Sequence, residues 1–185
     1  MILIFCAPSG SGKSTFVRYL LENYNNFELS ISATSRKPRG QERHGVEYYF
    51  ISADEFRRLI DEGKFIEYEE VYTDHFYGTL RSEIERIQQK GYTVIFDVDV
   101  KGGLNLKRIF GEEALSVFIM PPSIEELEKR LRKRGTDSEE MIQKRIDKAS
   151  IEMEDATHFD RIIVNDNLQN ALQDLQSLLR EYGMI

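Results

Sequence analysis

The sequence predicts an α/β protein: a doubly wound parallel sheet flanked by helices, with two further stretches inserted between its strands. Short uninterrupted apolar runs recur along the chain, patterns of helical period lie between them, and a Gly/Ser/Pro cluster joins the first run to the first helix. Alternation of strand and helix implies a parallel sheet with helices packed on it. Runs without polar interruption suit strands buried on both faces.

Residues 2 to 7 read as a buried strand, and from Lys13 the apolar positions Phe16, Val17, Leu20, Leu21 and Tyr24 fall at helical spacing. Further runs at Tyr92 to Val98, Leu115 to Met120 and Arg161 to Val164 read as parallel core strands. Helical patterns cover Leu80 to Lys90, closed by Gly91; Ile124 to Arg134, opened by the capping pair Ser123 and Glu126; and Leu168 to Tyr182. Two stretches break the rhythm. Residues 33 to 79 carry alternating, half-exposed patterns such as Glu47 to Ser52 and Phe65 to Tyr72, and residues 124 to 158 are helical and highly charged. The expected organisation is one domain over 1–185, with a core of 1–32, 80–123 and 159–185 and insertions at 33–79 and 124–158.

Bulk properties narrow the function. A chain of 185 residues with 41% hydrophobic content suffices for one core. A formal net charge of -7 argues against broad affinity for nucleic acid or anionic lipid, which need a basic surface. Anionic ligands must then be held by local basic clusters. The single cysteine, Cys6, lies in an apolar run, which leaves no disulfide framework and suits a reducing cytoplasm. Met1 leads straight into Ile2-Leu3-Ile4-Phe5 without a basic leader, and no run is long enough to span a bilayer, so a cytoplasmic protein is expected. His44, His75 and His158 are scattered without metal-ligand spacing and receive no role.

The segment Ala7-Pro8-Ser9-Gly10-Ser11-Gly12-Lys13-Ser14-Thr15 matches the phosphate-loop pattern, with Ala7 where a first glycine is usual. Its glycines let backbone amides turn toward phosphate oxygens, and the helix that follows directs its positive end at the same anion. Lys13 supplies charge to the β- and γ-phosphates and Ser14 a hydroxyl ligand to Mg²⁺. GTPases, ATPases and small kinases share such a cradle, so it defines a nucleotide site without naming a reaction. Asp97 and Asp99 end an apolar strand, and residues two apart face the same way. Both carboxylates therefore project at the sheet edge where α/β folds bind ligands. Asp97 can organise the Mg²⁺ shell; which of the two touches metal stays open.

A second cluster, Thr34-Ser35-Arg36-Lys37-Pro38-Arg39, followed by Glu42, Gly45 and Tyr48, is basic in an acidic chain. Forked arginine donors match a phosphate, and tyrosine hydroxyls add neutral donors. Here the sequence resembles the guanylate kinases. Their signature runs Thr, Ser or Thr, Arg, two residues, a basic residue, two residues, an acid, two residues, Gly, two residues, Tyr, and every fixed position is met between Thr34 and Tyr48. The family often places glycine immediately before the acid, where this chain has Gln41, with Gly40 one position earlier. The resemblance continues through Phe65-Ile66-Glu67, Tyr77-Gly78-Thr79, Asp97-Val98-Asp99, Arg134-Gly135-Thr136 and Val164-Asn165-Asp166, nearly the whole chain.

That resemblance implies a P-loop fold with a GMP-binding lobe at 33–79 and a helical lid at 124–158. It implies transfer of the γ-phosphoryl of ATP to GMP, giving ADP and GDP, with Mg²⁺ held by Ser14 and Asp97. Gly10, Ser11, Gly12, Lys13, Ser14, Thr15, Arg134 and Asn165 are placed on ATP, with Asn165 at the adenine. Arg36, Arg39, Tyr48 and Tyr77 are placed on the GMP phosphate, and Ser32, Glu67, Thr79 and Asp99 around the guanine. Catalysis falls to Lys13, Arg39, Asp97, Arg134 and Arg145, the last two as arginine fingers from the same chain. Guanine offers N1–H and its exocyclic amine as adjacent donors that one carboxylate accepts together, so Glu67 is the first choice for base selection. A phosphate with a second pKa of about 6 is already mostly deprotonated at neutral pH, so direct in-line transfer needs no general base. Keeping water from the γ-phosphate requires both insertions to close over their nucleotides. Use of dGMP, and a monomer against a homodimer, stay open. Two alternatives are a peptide-binding module of the same fold, which typically loses the phosphate loop, and a kinase with another acceptor, against which Ser32, Glu67 and Thr79 argue.

Overall fold

The computed structural model describes residues 1–135 and 137–185, with Arg134 described by its backbone alone. The elements run β1 (Ile2–Cys6), α1 (Lys13–Asn23), β2 (Phe27–Leu29), β3 (Ala33–Thr34), β4 (Tyr49–Phe50), α2 (Ala53–Asp61), β5 (Phe65–Tyr72), β6 (His75–Leu80), α3 (Arg81–Gln89), β7 (Thr93–Val98), α4 (Val100–Phe110), β8 (Ala114–Met120), α5 (Ile124–Arg134), α6 (Glu139–Glu154), β9 (Arg161–Val164) and α7 (Leu168–Glu181). Two compact units result: Met1–Phe27 with Ile95–Ile185, and Glu28–Val94. The expected lobe, 33–79, lies inside the second, and the expected lid, 124–158, inside the first. Among the described residues no helix is long and apolar enough to cross a membrane.

The larger sheet has the order β2-β7-β1-β8-β9, with β1 and β9 each parallel to β8. All five residues of β1 and the first six of β8 are buried, as uninterrupted apolar runs require of strands covered on both faces. The expectation of the same burial for Arg161 to Val164 is corrected: only Ile163 of β9 is buried. The strand stands at the edge of the sheet, where its side chains lack a second neighbour. Strands β7 and β2 lie to one side of β1, and β8 and β9 to the other. The strand order therefore reverses at β1, the topological switch where α/β sheets place ligands.

Within the first unit, α5 and α6 pack on each other through Leu127, Leu131, Ile142, Ile146 and Ala149. Ser123 starts α5 by accepting from Glu126 N at 3.1 Å, and Ser138 starts α6 by accepting from Met141 N at 3.4 Å. Gly135 ends α5 in the left-handed conformation, a common stop signal.

The second unit holds a four-stranded sheet of order β4-β3-β6-β5. Strand β6 is antiparallel to both neighbours, and β3 runs parallel to β4. Helix α2 covers this sheet: Phe56 stacks on Phe65 and Phe76 at centroid distances of 4.2 and 5.1 Å, over a core that includes Ala33. Ser52 caps α2 by accepting from Glu55 N at 3.1 Å.

Candidate active site

Strand β1 runs into the glycine-rich loop and the loop into α1, as the sequence requires. Gly12 is the N-cap of α1 at φ 96°, a conformation that L side chains rarely adopt. A Cβ there would also lie 2.6 Å from the Asn165 amide nitrogen. That amide donates to Ser11 O at 2.8 Å, and Asn165 N donates to Met120 O at 2.8 Å. The loop is thus fastened to the end of β8 through one buried asparagine.

A cavity of about 590 Å³ opens over the loop, lined by Gly10, Gly12, Lys13, Ser14, Thr15, Asp97, Asp99 and Arg145 among others. It brings together most donor-side residues that the sequence singled out. Lys13 Nζ lies 2.7 Å from Asp97 Oδ1 and also donates to the Val98 carbonyl. Asp99 caps α4 by accepting from Gly102 N at 2.8 Å, and its other oxygen stands 3.8 Å from Lys148 Nζ. Arg145 donates to the Ser9 hydroxyl and lies 3.5 Å from the Asp137 carboxylate. Ser11, within the loop, and Asn165, behind it, are buried and do not line the cavity. The side chain of Arg134 and all of Thr136 lie outside the described residues.

Sequence reasoning missed three lining residues. Arg130 donates to Asn165 O at 3.0 Å and reaches Glu126 at 3.3 Å. Lys148 pairs with Glu152 at 3.2 Å, and burial pushes the Glu152 carboxyl above its ordinary value. A signal was available, since Arg145, Lys148 and Glu152 stand three and four residues apart on one face of a helix.

The acceptor-side residues gather in the second unit, apart from Asp99. Arg36 is buried, with Nη1 and Nη2 donating to the two Glu42 oxygens at 2.6 and 2.8 Å. Its Nε donates to the Tyr77 hydroxyl at 3.1 Å, and its guanidinium lies over the Tyr48 ring at 4.9 Å. Glu42, a signature position without a role in the sequence reading, is therefore the partner that holds the fork. Hydrogen bonds from Arg36 and from the Arg39 N–H bring its carboxyl down to about 2, and the same pair raises Arg36 further above its usual value. The Arg39 side chain is exposed. Further along β6, Thr79 Oγ1 donates to Glu67 Oε1 at 2.7 Å across the β5–β6 pair. Ser32 precedes β3, and its carbonyl accepts from Tyr49 N at 2.9 Å.

A phosphate loop at the switch point of a parallel sheet, with lysine, hydroxyl and carboxylates converging on one cavity, defines a P-loop nucleotide-binding protein. The family model described as guanylate kinase matches residues 1–182. A guanylate kinase of Bacteroides fragilis is 54% identical over 98% of this chain and 89% of its own length. One of Porphyromonas gingivalis is 52% identical, with 98% and 97% covered. The crystal structure of guanylate kinase from Anaplasma phagocytophilum superposes with a TM-score of 0.73 at 32% identity, covering all of this chain and 87% of that one. The chain belongs to the guanylate kinase family.

Proposed function

We propose that the chain is an ATP:GMP phosphotransferase that binds ATP over the loop cavity and GMP in the second unit. The supporting observation is that cavity, where Lys13 and Ser14 meet Asp97 and Arg145 in a chain whose family match spans residues 1–182. A peptide-binding relative has no use for such a cradle.

The chemistry asks the protein to align two polyanions and offset their repulsion. Lys13 delivers its ammonium to the β- and γ-phosphates beside the inward-turned amides of the loop. Arg145, held near Ser9 and Asp137, supplies a forked donor to the transferring phosphoryl. Arg36, Arg39, Tyr48 and Tyr77 take the GMP phosphate, while Ser32, Glu67 and Thr79 read the base. The acceptor oxygen is already mostly deprotonated at neutral pH, so no side chain has to remove a proton.

A hard divalent cation suits the donor set, because the Ser14 hydroxyl and the Asp97 carboxylate are both oxygen ligands on one cavity wall. When bound, Mg²⁺ neutralises charge on the β- and γ-phosphates. The reading also assigns a cytoplasmic setting, where both nucleotides are found, and leaves dGMP as a second acceptor to be measured. A coupled ADP-release assay with GMP, dGMP, AMP, CMP and UMP in turn tests it. Strong turnover confined to the guanine acceptors is expected; equal rates with AMP would overturn the assignment.

A further inference from the structure

Outside the residues already given a role, the second unit holds a charge network built on one buried carboxylate. Glu83, in the first turn of α3, is almost fully enclosed at 3% exposure. Its carboxylate accepts four hydrogen bonds. Oε1 takes Ile31 N at 3.1 Å and Arg86 Nη2 at 2.9 Å; Oε2 takes the Tyr49 hydroxyl at 2.9 Å and Arg86 Nε at 3.0 Å. Arg86 is held in turn by Glu28 at 2.6 Å, and Lys90 reaches the other Glu28 oxygen at 2.7 Å. Enclosing a carboxylate is costly unless its lone pairs are filled, and here they are. Burial pushes the Glu83 carboxyl up, but the Arg86, Ile31 and Tyr49 donors outweigh it and hold the group below its ordinary value.

The placement of these bonds points beyond stability. Ile31 is the residue before Ser32. Tyr49 donates its own N–H to the Ser32 carbonyl at 2.9 Å while its hydroxyl reaches Glu83. The backbone on both sides of the Ser32 Cα is therefore fastened, directly or through one tyrosine, to a single carboxylate.

We propose that Glu83 is a positioning residue for Ser32: clamped by Arg86, it fixes the Ile31 N–H and the Tyr49 ring, and so sets where the Ser32 hydroxyl meets the purine of the acceptor. The inference rests on the reading that Ser32 faces the guanine. Without the clamp the Ser32 segment can shift by fractions of an ångström, and such a shift is enough to spoil a hydrogen bond to a base edge. The ATP site in the first unit makes no use of this network.

The test uses the full chain with steady-state kinetics in each substrate. Glu83→Gln keeps the shape but removes the charge and places an amide donor where only acceptors fit; Tyr49→Phe removes one hydroxyl alone and keeps the question answerable if the first variant folds poorly. Glu83→Gln should raise KM for GMP about tenfold, and Tyr49→Phe about threefold, with KM for ATP and kcat within about twofold of the parent. In a Ser32→Ala background the Tyr49→Phe change should add less than about twofold, because both act through one hydroxyl. If Ser32→Ala raises KM for GMP but Tyr49→Phe does not, or if the two effects multiply, the clamp has no positioning role although the base site stands. If Ser32→Ala itself leaves KM for GMP unchanged, the placement of Ser32 fails and the proposal with it.

Discussion

The side-chain amide of Asn165 donates to the carbonyl oxygen of Ser11 at 2.8 Å, so the residue that the family resemblance places at adenine also holds the phosphate loop from behind. The bond is buried, and its loss leaves the Ser11 carbonyl without that partner.

Replacing Asn165 with alanine should therefore weaken polyphosphate binding as such. By titration calorimetry, ATP and base-free tripolyphosphate are expected to lose affinity by the same factor, about tenfold for one buried hydrogen bond. A loss confined to ATP would return Asn165 to the adenine alone.

Lys13 lies against Asp97 at 2.7 Å and faces the same cavity as Ser14 and Arg145. Lys13→Met should lower kcat about a hundredfold or more, the cost typical of removing one preorganised charge from a transferring group. Circular dichroism should show the fold retained. Unchanged turnover would move the donor phosphates elsewhere.

Glu67 accepts from Thr79 Oγ1 at 2.7 Å, an arrangement that leaves its carboxylate oriented by its neighbour. Glu67→Ala is expected to reduce kcat/KM for GMP by about a hundredfold while affinity for ATP stays within twofold. Equal losses for both nucleotides would mean that the change acts on the fold and not on the base.

The Arg36–Glu42 pair gives a pH signature. The Glu42 carboxyl is depressed to about 2, chiefly by its bonds from Arg36. A carboxylate whose folded value lies below its unfolded one adds stability above the unfolded value, and that contribution disappears as pH falls toward the folded value. Acid unfolding of the parent and of Glu42→Gln should thus differ by a constant amount above about pH 5. The two curves should converge as pH approaches about 2. A difference that persists to that pH would contradict the pairing.

Much of this architecture was legible because its physics is local. The β1–loop–α1 unit follows from an apolar run, glycines and a helical pattern in direct succession, and α5 from a serine cap three residues before Glu126. Helix α2 is harder to read, although Ser52 and Glu55 form the same cap signal and Phe56, Leu59 and Ile60 share one face. The surrounding alternation of 33 to 79 masks it. Helix α4 follows Asp99 so closely that one acid carries two signals, a carboxylate at the sheet edge and an Oδ1 that starts the helix. Strand β2 is only three residues long, too short for any period to register. Glu42 and Glu83 were beyond reach for another reason. Their meaning lies in partners, Arg36 for Glu42 and Arg86, Tyr49 and Ile31 for Glu83, and of these Tyr49 and Ile31 are distant from Glu83 in sequence.

The loop cavity also has a charge balance of its own. Counted formally, Lys13, Arg130, Arg145 and Lys148 face Asp97, Asp99 and Glu152 across the same space, a surplus of one positive charge. Internal counter-ions of this kind blunt the attraction for a lone chloride or sulfate, because such a guest gains little by competing with carboxylates already in place. A ligand carrying several phosphoryl groups recruits many cations together and repays their release. Affinity should then climb steeply from mono- to di- to triphosphate, so that a chain with an overall negative charge would sort its guests by their valence.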